Sequence, residues 1–276
     1  IGVRDERTGT HIADGYARAS GQVGIILAGQ NGPGATNLVT GIAQAYKAYS
    51  PIISLAGDIA SDHKGRDSFQ EINQHSLFKS ITKQTFTIKK TESIPKIIRE
   101  AFKISLSKRQ GPVHINLPRD VLSKKAYFKR FYKHKKILST SVSDNKIMII
   151  LKILSKSLKP VIIAGGGIKN TESYKKVVDI AKELNCPMVT SAGHGDAIPF
   201  YEELYAGQMG PRGNDVASYL VRKADVILAL GTRLGFNSTF FSYDNINKKA
   251  KIIQVDIEKK ALGKYFPIEI GVNADV

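Results

Sequence analysis

Short, uniformly apolar runs separated by helix-length segments constrain this chain more than any other feature. They fall at residues 23–27, 51–56 and 112–117 in the first half, and at 160–164, 187–190, 225–230 and 252–256 in the second. A run that is apolar at every position, rather than at every second one, suits a strand covered on both faces, as in a parallel sheet. The segments between carry helical spacing: 5–19, with Ile12, Tyr16 and Ala19 on one stripe and Gly21 closing it, then 35–49, 94–107, 172–184 and 214–223. Strand, helix, strand in alternation predicts an α/β protein with two doubly wound parallel-sheet domains, the second Rossmann-like.

Between residues 123 and 146 the apolar periodicity fades into Lys, Ser and Thr, which predicts a linker joining domains at 1–122 and 147–276. A chain of 276 residues is long enough for two such cores. It starts at Ile1 rather than Met and stops soon after a strand-like run, which reads as a fragment. The formal charge of +17 raises the question of nucleic acid. The basic residues, however, are spread over helix faces, and their densest run, 124–136, falls in the linker, which reads as a solvated stretch. No nucleic-acid partner is expected. One cysteine, Cys186, excludes an internal disulfide framework and a cysteine-based zinc site, and reads as a packed, inert thiol. No apolar stretch reaches the roughly 18 residues of a membrane span, and no signal-peptide pattern opens the chain. A cytoplasmic protein without a membrane partner is expected.

Chemistry concentrates in a few segments. Residues 3–18 place Asp5 and Glu6 at a helix start, where acids are favoured by the helix dipole whatever their function. Residues 28–46 hold a strand, then Gly32-Pro33-Gly34-Ala35-Thr36-Asn37, then a helix. Such a turn is either simply tight or a place where backbone approaches a ligand. It lacks the Gly-Lys-Ser/Thr ending of a nucleotide P-loop. Residues 67–74 read by themselves as a solvent-facing helix with its cap, and 81–83 end in a cation, Lys83. His114, inside an apolar strand, reads as a satisfied structural histidine. In the second half, Ala164-Gly-Gly-Gly167 and Leu230-Gly-Thr-Arg-Leu-Gly235 lie at strand ends, where open α/β sheets bind ligands. Their spacing is not Gly-x-Gly-x-x-Gly, which disfavours an NAD-dependent oxidoreductase. His194-Gly-Asp196 offers two metal ligands and reads as a loop.

Taken together, the helix ending Ala-Asp-Gly-Tyr-Ala-Arg, the Gly-Pro-Gly-Ala-Thr-Asn turn, Phe69-Gln70-Glu71 with the Thr82-Lys83 pair, and the closing strand 111–121 resemble thiamine-diphosphate enzymes. The resemblance is to the acetolactate synthase / sulfoacetaldehyde acetyltransferase group, and covers its pyrimidine-binding and central domains. It implies that Glu6 is catalytic, its carboxyl facing a pyrimidine ring nitrogen. A carboxyl in a largely apolar pocket suits that proton-sharing role. It further implies that Gly32, Pro33, Gly34 and Asn37 lie on the cofactor side, and that Gln30, Phe69, Gln70 and Lys83 lie near the substrate. Gly166, Gly231, Thr232, Arg233 and Asp256 are implied as a cofactor site of the central domain, where some members hold FAD. Two departures stand out: Arg7 replaces a glutamine common in acetolactate synthases, and Arg-Leu-Gly replaces the Arg-Phe-Asp common in flavin-binding ones.

The implied reaction is decarboxylation of a 2-oxo acid such as pyruvate and transfer of the two-carbon unit to an acceptor. The alternative is sulfoacetaldehyde acetyltransferase, which Gly-Gln-Asn-Gly-Pro-Gly and Phe-Gln-Glu-Ile-Asn-Gln also resemble; a non-enzymatic basic binding module is a remote third. The implied cofactors are thiamine diphosphate, magnesium and, in part of the group, FAD; the implied assembly is a homodimer or homotetramer. No Gly-Asp-Gly occurs in the sequence. The diphosphate-binding domain, with its magnesium, is therefore expected outside these residues, and the chain alone is expected to be inactive.

Overall fold

The computed structural model describes residues 1–128, 142–169 and 173–276, which fall into two compact units, Ile1–Ile137 and Leu138–Val276. The first unit runs α1 (Glu6–Ser20), β1 (Gly24–Ala28), α2 (Pro33–Ala48), β2 (Ile52–Asp58), α3 (Gln74–Lys79), β3 (Gln84–Thr87), α4 (Ile94–Leu106), β4 (Val113–Pro118) and α5 (Arg119–Ser123). Its strands form one parallel sheet in the order β1-β2-β4-β3.

Helix α1 forms because Asp5 caps it, accepting from the Arg7 N–H at 2.7 Å, and it ends at Gly21, whose φ of 68° suits glycine. Its buried face is Gly9, Thr10, Ala13, Asp14 and Ala17. The expected stripe of Ile12, Tyr16 and Ala19 is instead exposed. The reason is the closeness of its neighbours. A Cβ on Gly9 would lie 2.6 Å from Ile26 Cδ1, and one on Gly41 of α2 would lie 2.5 Å from Thr10 Cγ2. Only small residues fit that contact, so the larger apolar side chains turn away from it. Strand β1 likewise departs from burial on both faces: it is an edge strand, and Ile25 and Leu27 are 54% and 60% exposed.

One side of the sheet is packed by Ile26, Leu38, Ile42, Ile52 and Phe78, the other by Ile53, Ile88, Ala101, Val113 and Ile115. A polar chain runs through this core. His114 is fully buried and stacks on Phe78 with ring centroids 3.6 Å apart. The Asn116 amide donates to Thr87 Oγ1 at 3.0 Å, which turns its oxygen toward His114 Nε2 at 2.7 Å. Nε2 therefore carries the proton, and Nδ1 accepts from Ser54 Oγ at 2.8 Å. The histidine is satisfied and structural, as its position in the sequence predicts.

The second unit runs α6 (Asp144–Leu154), β5 (Pro160–Ala164), α7 (Ser173–Glu183), β6 (Met188–Thr190), β7 (Tyr205–Gln208), α8 (Asp215–Lys223), β8 (Val226–Leu230), α9 (Phe236–Thr239), β9 (Lys251–Val255) and β10 (Ile270–Val272). Its parallel sheet has the order β10-β9-β8-β5-β6-β7, the 3-2-1-4-5-6 arrangement of doubly wound folds. The chain reverses its direction of travel across the sheet between β5 and β8, so that fold's ligand crevice lies where these two strands end. Cys186 is buried, and burial pushes its thiol up to about 11, consistent with an inert side chain. The linker expected over 123–146 is shortened by α6, whose first turn starts at Asp144. Most of that linker, together with the end of its basic run and the start of the helix expected from 172, lies outside the described residues.

Burial holds His114 down to about 3, whereas the unfolded imidazole takes up a proton near 6.5. Between those values the unfolded state binds a proton that the folded state refuses, so stability rises with pH through this window and is lost on acidification. The expected slope from this group is about 1.4 kcal/mol per pH unit between roughly pH 6 and 4. Urea midpoints measured across that range should fall in the native chain and fall less steeply in His114→Gln; equal slopes would refute the assignment.

Candidate functional site

In a parallel sheet the loops after neighbouring strands meet at the carboxyl ends, and here the loops after β1 and β2 do so. A Cβ on Gly57, near the end of β2, would lie 2.9 Å from the Gly29 carbonyl oxygen. In the first of these loops Gly32 has φ +56°, and a Cβ there would lie 2.6 Å from the Gln70 carbonyl oxygen, so both conformation and space require glycine. The Gln30 side chain donates to Gln70 Oε1 at 2.5 Å. The Asn31 amide nitrogen lies 3.1 Å from both the Phe69 and the Gln70 carbonyl oxygens. Residues 67–73 form this loop rather than a helix, and α3 begins only at Gln74. Phe69 projects from the loop at 82% exposure.

The loop is braced from within. Glu71 accepts from the Gly65 N–H at 2.8 Å and the Ser68 N–H at 3.2 Å, and these bonds, Gly65 first, hold its carboxyl below the usual range. Ser68 Oγ donates to the His63 carbonyl at 2.8 Å. Asp67 and Gln70 both take positive φ, 52° and 61°, a conformation that non-glycine residues hold only when their surroundings impose it.

Glu6 stands at the first helical position of α1, with its carboxylate against the first turn of α2. Asn37 Nδ2 donates to Glu6 Oε2 at 3.0 Å, and a Cβ on Gly34 would lie 3.4 Å from Glu6 Oε1. The two acids at the start of α1 thus divide the work. Asp5 caps its own helix, and Glu6 faces the neighbouring one. No side chain caps α2, and Pro33 at its first position has no N–H to satisfy. Glu6 is half-buried, while Pro33 and Asn37 are exposed. The apolar pocket expected around Glu6 is therefore not formed within this unit; the carboxylate is held by an amide on an open surface.

Lys83 is not part of this cluster. It precedes β3, at the end where the strands start, whereas Gln30 and Gln70 follow β1 and β2 at the opposite end. Its ammonium donates to the Ile104 carbonyl, to the Ser107 carbonyl at 2.7 Å and to Ser107 Oγ at 3.2 Å, closing the carboxyl end of α4. Asn31 and Glu71, which fasten the loop, were not singled out in the sequence. The only signal was an amide set between glycines and a carboxylate inside the Phe-Gln-Glu motif.

In the second unit the glycine turns after β5 and β8 pack on each other. A Cβ on Gly165 would lie 2.3 Å from the Gly231 carbonyl oxygen, and one on Gly167 would lie 2.7 Å from Gly231 Cα. A Cβ on Gly166 would meet the His194 ring at 2.6 Å. Thr232 is buried and its Oγ1 accepts from the Leu234 N–H at 3.3 Å; Asp256 is buried and its Oδ1 accepts from the Glu258 N–H at 2.8 Å. Arg233 is half-buried on the same loop. The missing side chains of Gly166 and Gly231 thus make room for the His194 ring and for Gly167. Asp196 pairs with Lys169. Among the described residues, no group of three or more His, Cys, Asp or Glu side chains is placed to hold a metal ion, and no helix is long and apolar enough to cross a membrane.

Comparison with known proteins gives this geometry a context. Residues 1–77 match the family described as thiamine pyrophosphate enzyme, N-terminal TPP binding domain, and residues 147–276 match thiamine pyrophosphate enzyme, central domain. The chain is 37% identical, over 99% of its length, to a probable acetolactate synthase large subunit of Methanocaldococcus jannaschii. It is 36% identical, over 99%, to the acetolactate synthase large subunit of Buchnera aphidicola subsp. Schizaphis graminum, and 33% identical, over 100%, to a sulfoacetaldehyde acetyltransferase of Alcaligenes xylosoxydans xylosoxydans. It covers 47%, 48% and 45% of these relatives, so it spans about half the length of the curated proteins it matches. The chain belongs to the thiamine pyrophosphate enzymes and carries their N-terminal TPP binding domain and their central domain.

Proposed function

We propose that this chain supplies the pyrimidine side of a thiamine-diphosphate-dependent enzyme of the acetolactate synthase kind, which decarboxylates a 2-oxo acid such as pyruvate and transfers the two-carbon unit to an acceptor. One observation carries the reading: the Glu6 carboxylate stands against the uncapped first turn of α2, with one oxygen fixed by Asn37 and the other beside Gly34. When bound, thiamine diphosphate supplies a carbon nucleophile for the 2-oxo group. Glu6 would hold and exchange a proton with a pyrimidine nitrogen, the role of a positioned general acid–base group. Asn37 would keep the carboxylate aimed while that proton moves. Gly32, Pro33 and Gly34 would let backbone approach the ring, and Gln30, Gln70 and Phe69 would border the substrate.

Magnesium and the diphosphate would be anchored by a motif other than those in these residues. An open carboxylate site suits completion by a second copy, so a homodimer or homotetramer is part of the proposal. A reducing, cytoplasmic setting agrees with the single buried Cys186. Lys83 is left out because its ammonium closes α4.

A second reading, sulfoacetaldehyde acetyltransferase, is favoured by the contact of Gln30 with Gln70, which joins the two segments that resemble that branch. Full-length protein given pyruvate should form acetolactate; sulfite release from sulfoacetaldehyde and phosphate would decide for the second reading. In either case Glu6→Gln should lower kcat/KM on the order of 10²- to 10⁴-fold. Undiminished turnover in that variant would overturn the proposal. The 276-residue chain alone should bind thiamine diphosphate only weakly in calorimetry, and tight binding would contradict a site completed from elsewhere.

A further inference from the structure

We infer that Asn31 is a positioning residue for the substrate side of this site, acting through the backbone that carries Phe69 and Gln70 rather than by touching substrate. The inference rests on the function proposed above and deepens it. Phe69 is 82% exposed, so where its ring stands is set by its backbone rather than by packing. The loop that carries it is closed on itself by Glu71 and Ser68, with Asp67 and Gln70 in left-handed conformations. A unit of this kind is internally firm but needs a tether to have a defined place.

The Asn31 amide is that tether. A single side-chain nitrogen, with two hydrogens to give, lies 3.1 Å from two successive carbonyl oxygens, those of Phe69 and Gln70. The neighbouring contacts leave little freedom. The Gln70 carbonyl fills the space where Gly32 lacks a side chain, and Gln30 holds the Gln70 side chain. An aspartate has the same shape but no donor, and it would set a carboxylate against two carbonyl oxygens. Asn31→Asp therefore removes the tether and turns attraction into repulsion without changing size, whereas Asn31→Ala only removes it.

In the full-length enzyme, Asn31→Asp should raise KM for the 2-oxo acid on the order of 10- to 100-fold, the scale of a roughly 1 Å misplacement, with kcat changed by less than about threefold. Asn31→Ala should fall between it and the native protein. Because the effect passes through Phe69, the KM increase caused by Asn31→Asp should shrink in a Phe69→Ala background. Amide hydrogen exchange over residues 64–71 should quicken by about tenfold in Asn31→Asp, a readout that needs no turnover. Native protein inactive toward both pyruvate and sulfoacetaldehyde would defeat the functional reading, and exchange would still decide the tether. Unchanged exchange, or a KM shift of the same size with and without Phe69, would overturn the role of Asn31.

Discussion

A gap the size of one methyl group sets the geometry of this site. Gly41 leaves room for Thr10, and Gly9 leaves room for Ile26, so α1 lies close against both α2 and β1. At that separation a side chain of ordinary length on the first turn of α1 reaches the first turn of α2, and Glu6 meets Asn37. A larger residue at either glycine would move one helix away and carry the carboxylate with it, since packed interiors take up added volume poorly. The pairing of Glu6 with Asn37 is thus a product of packing deep in the unit, transmitted along two rigid helices to the surface.

The two units use the same local device, a glycine turn after a parallel strand, with different neighbours. In the first, Gly32 admits the carbonyl of the loop beyond β2, and the place of a side chain on Gly34 is bordered by Gln30, Ala28 and a carboxylate oxygen of Glu6. In the second, Gly165, Gly167 and Gly231 admit one another, and Gly166 admits His194. A glycine motif at a strand end therefore does not by itself denote a ligand site; what fills the place of the missing side chain decides.

The sequence made the interior of both sheets legible and the rims obscure. Strands β2, β4, β5, β8 and β9 are covered on both faces, and their continuous apolar runs reveal them. Strands β3, β7 and β10 each lie at the rim of a sheet and pair on one side only. They are short and partly polar, as in Gln84–Thr87, and no periodic signal marked them. The same divide holds at the site. Glu6, Gly32, Gly34, Asn37, Gln30 and Gln70 were readable through family motifs, and the structure gathers them. Lys83 was read through the same family's Thr-Lys pair, yet its strand starts at the far end of the sheet, which only topology reveals. Asn31 escaped because its role lies in which carbonyls it meets, and those lie far along the chain.

Strand β1 breaks the pattern of the rims, because it is written like an interior strand and stands at an edge. Its outer row of peptide groups has no partner among the described residues, and bare Ile25 and Leu27 flank that row. Such a strip is adhesive: unsatisfied N–H and C=O groups recruit another extended backbone, and the aliphatic side chains hold it there. Produced alone, these residues would stick to one another along this border before they displayed any chemistry, and a charge placed at position 25 or 27 would be the simplest way to keep them apart.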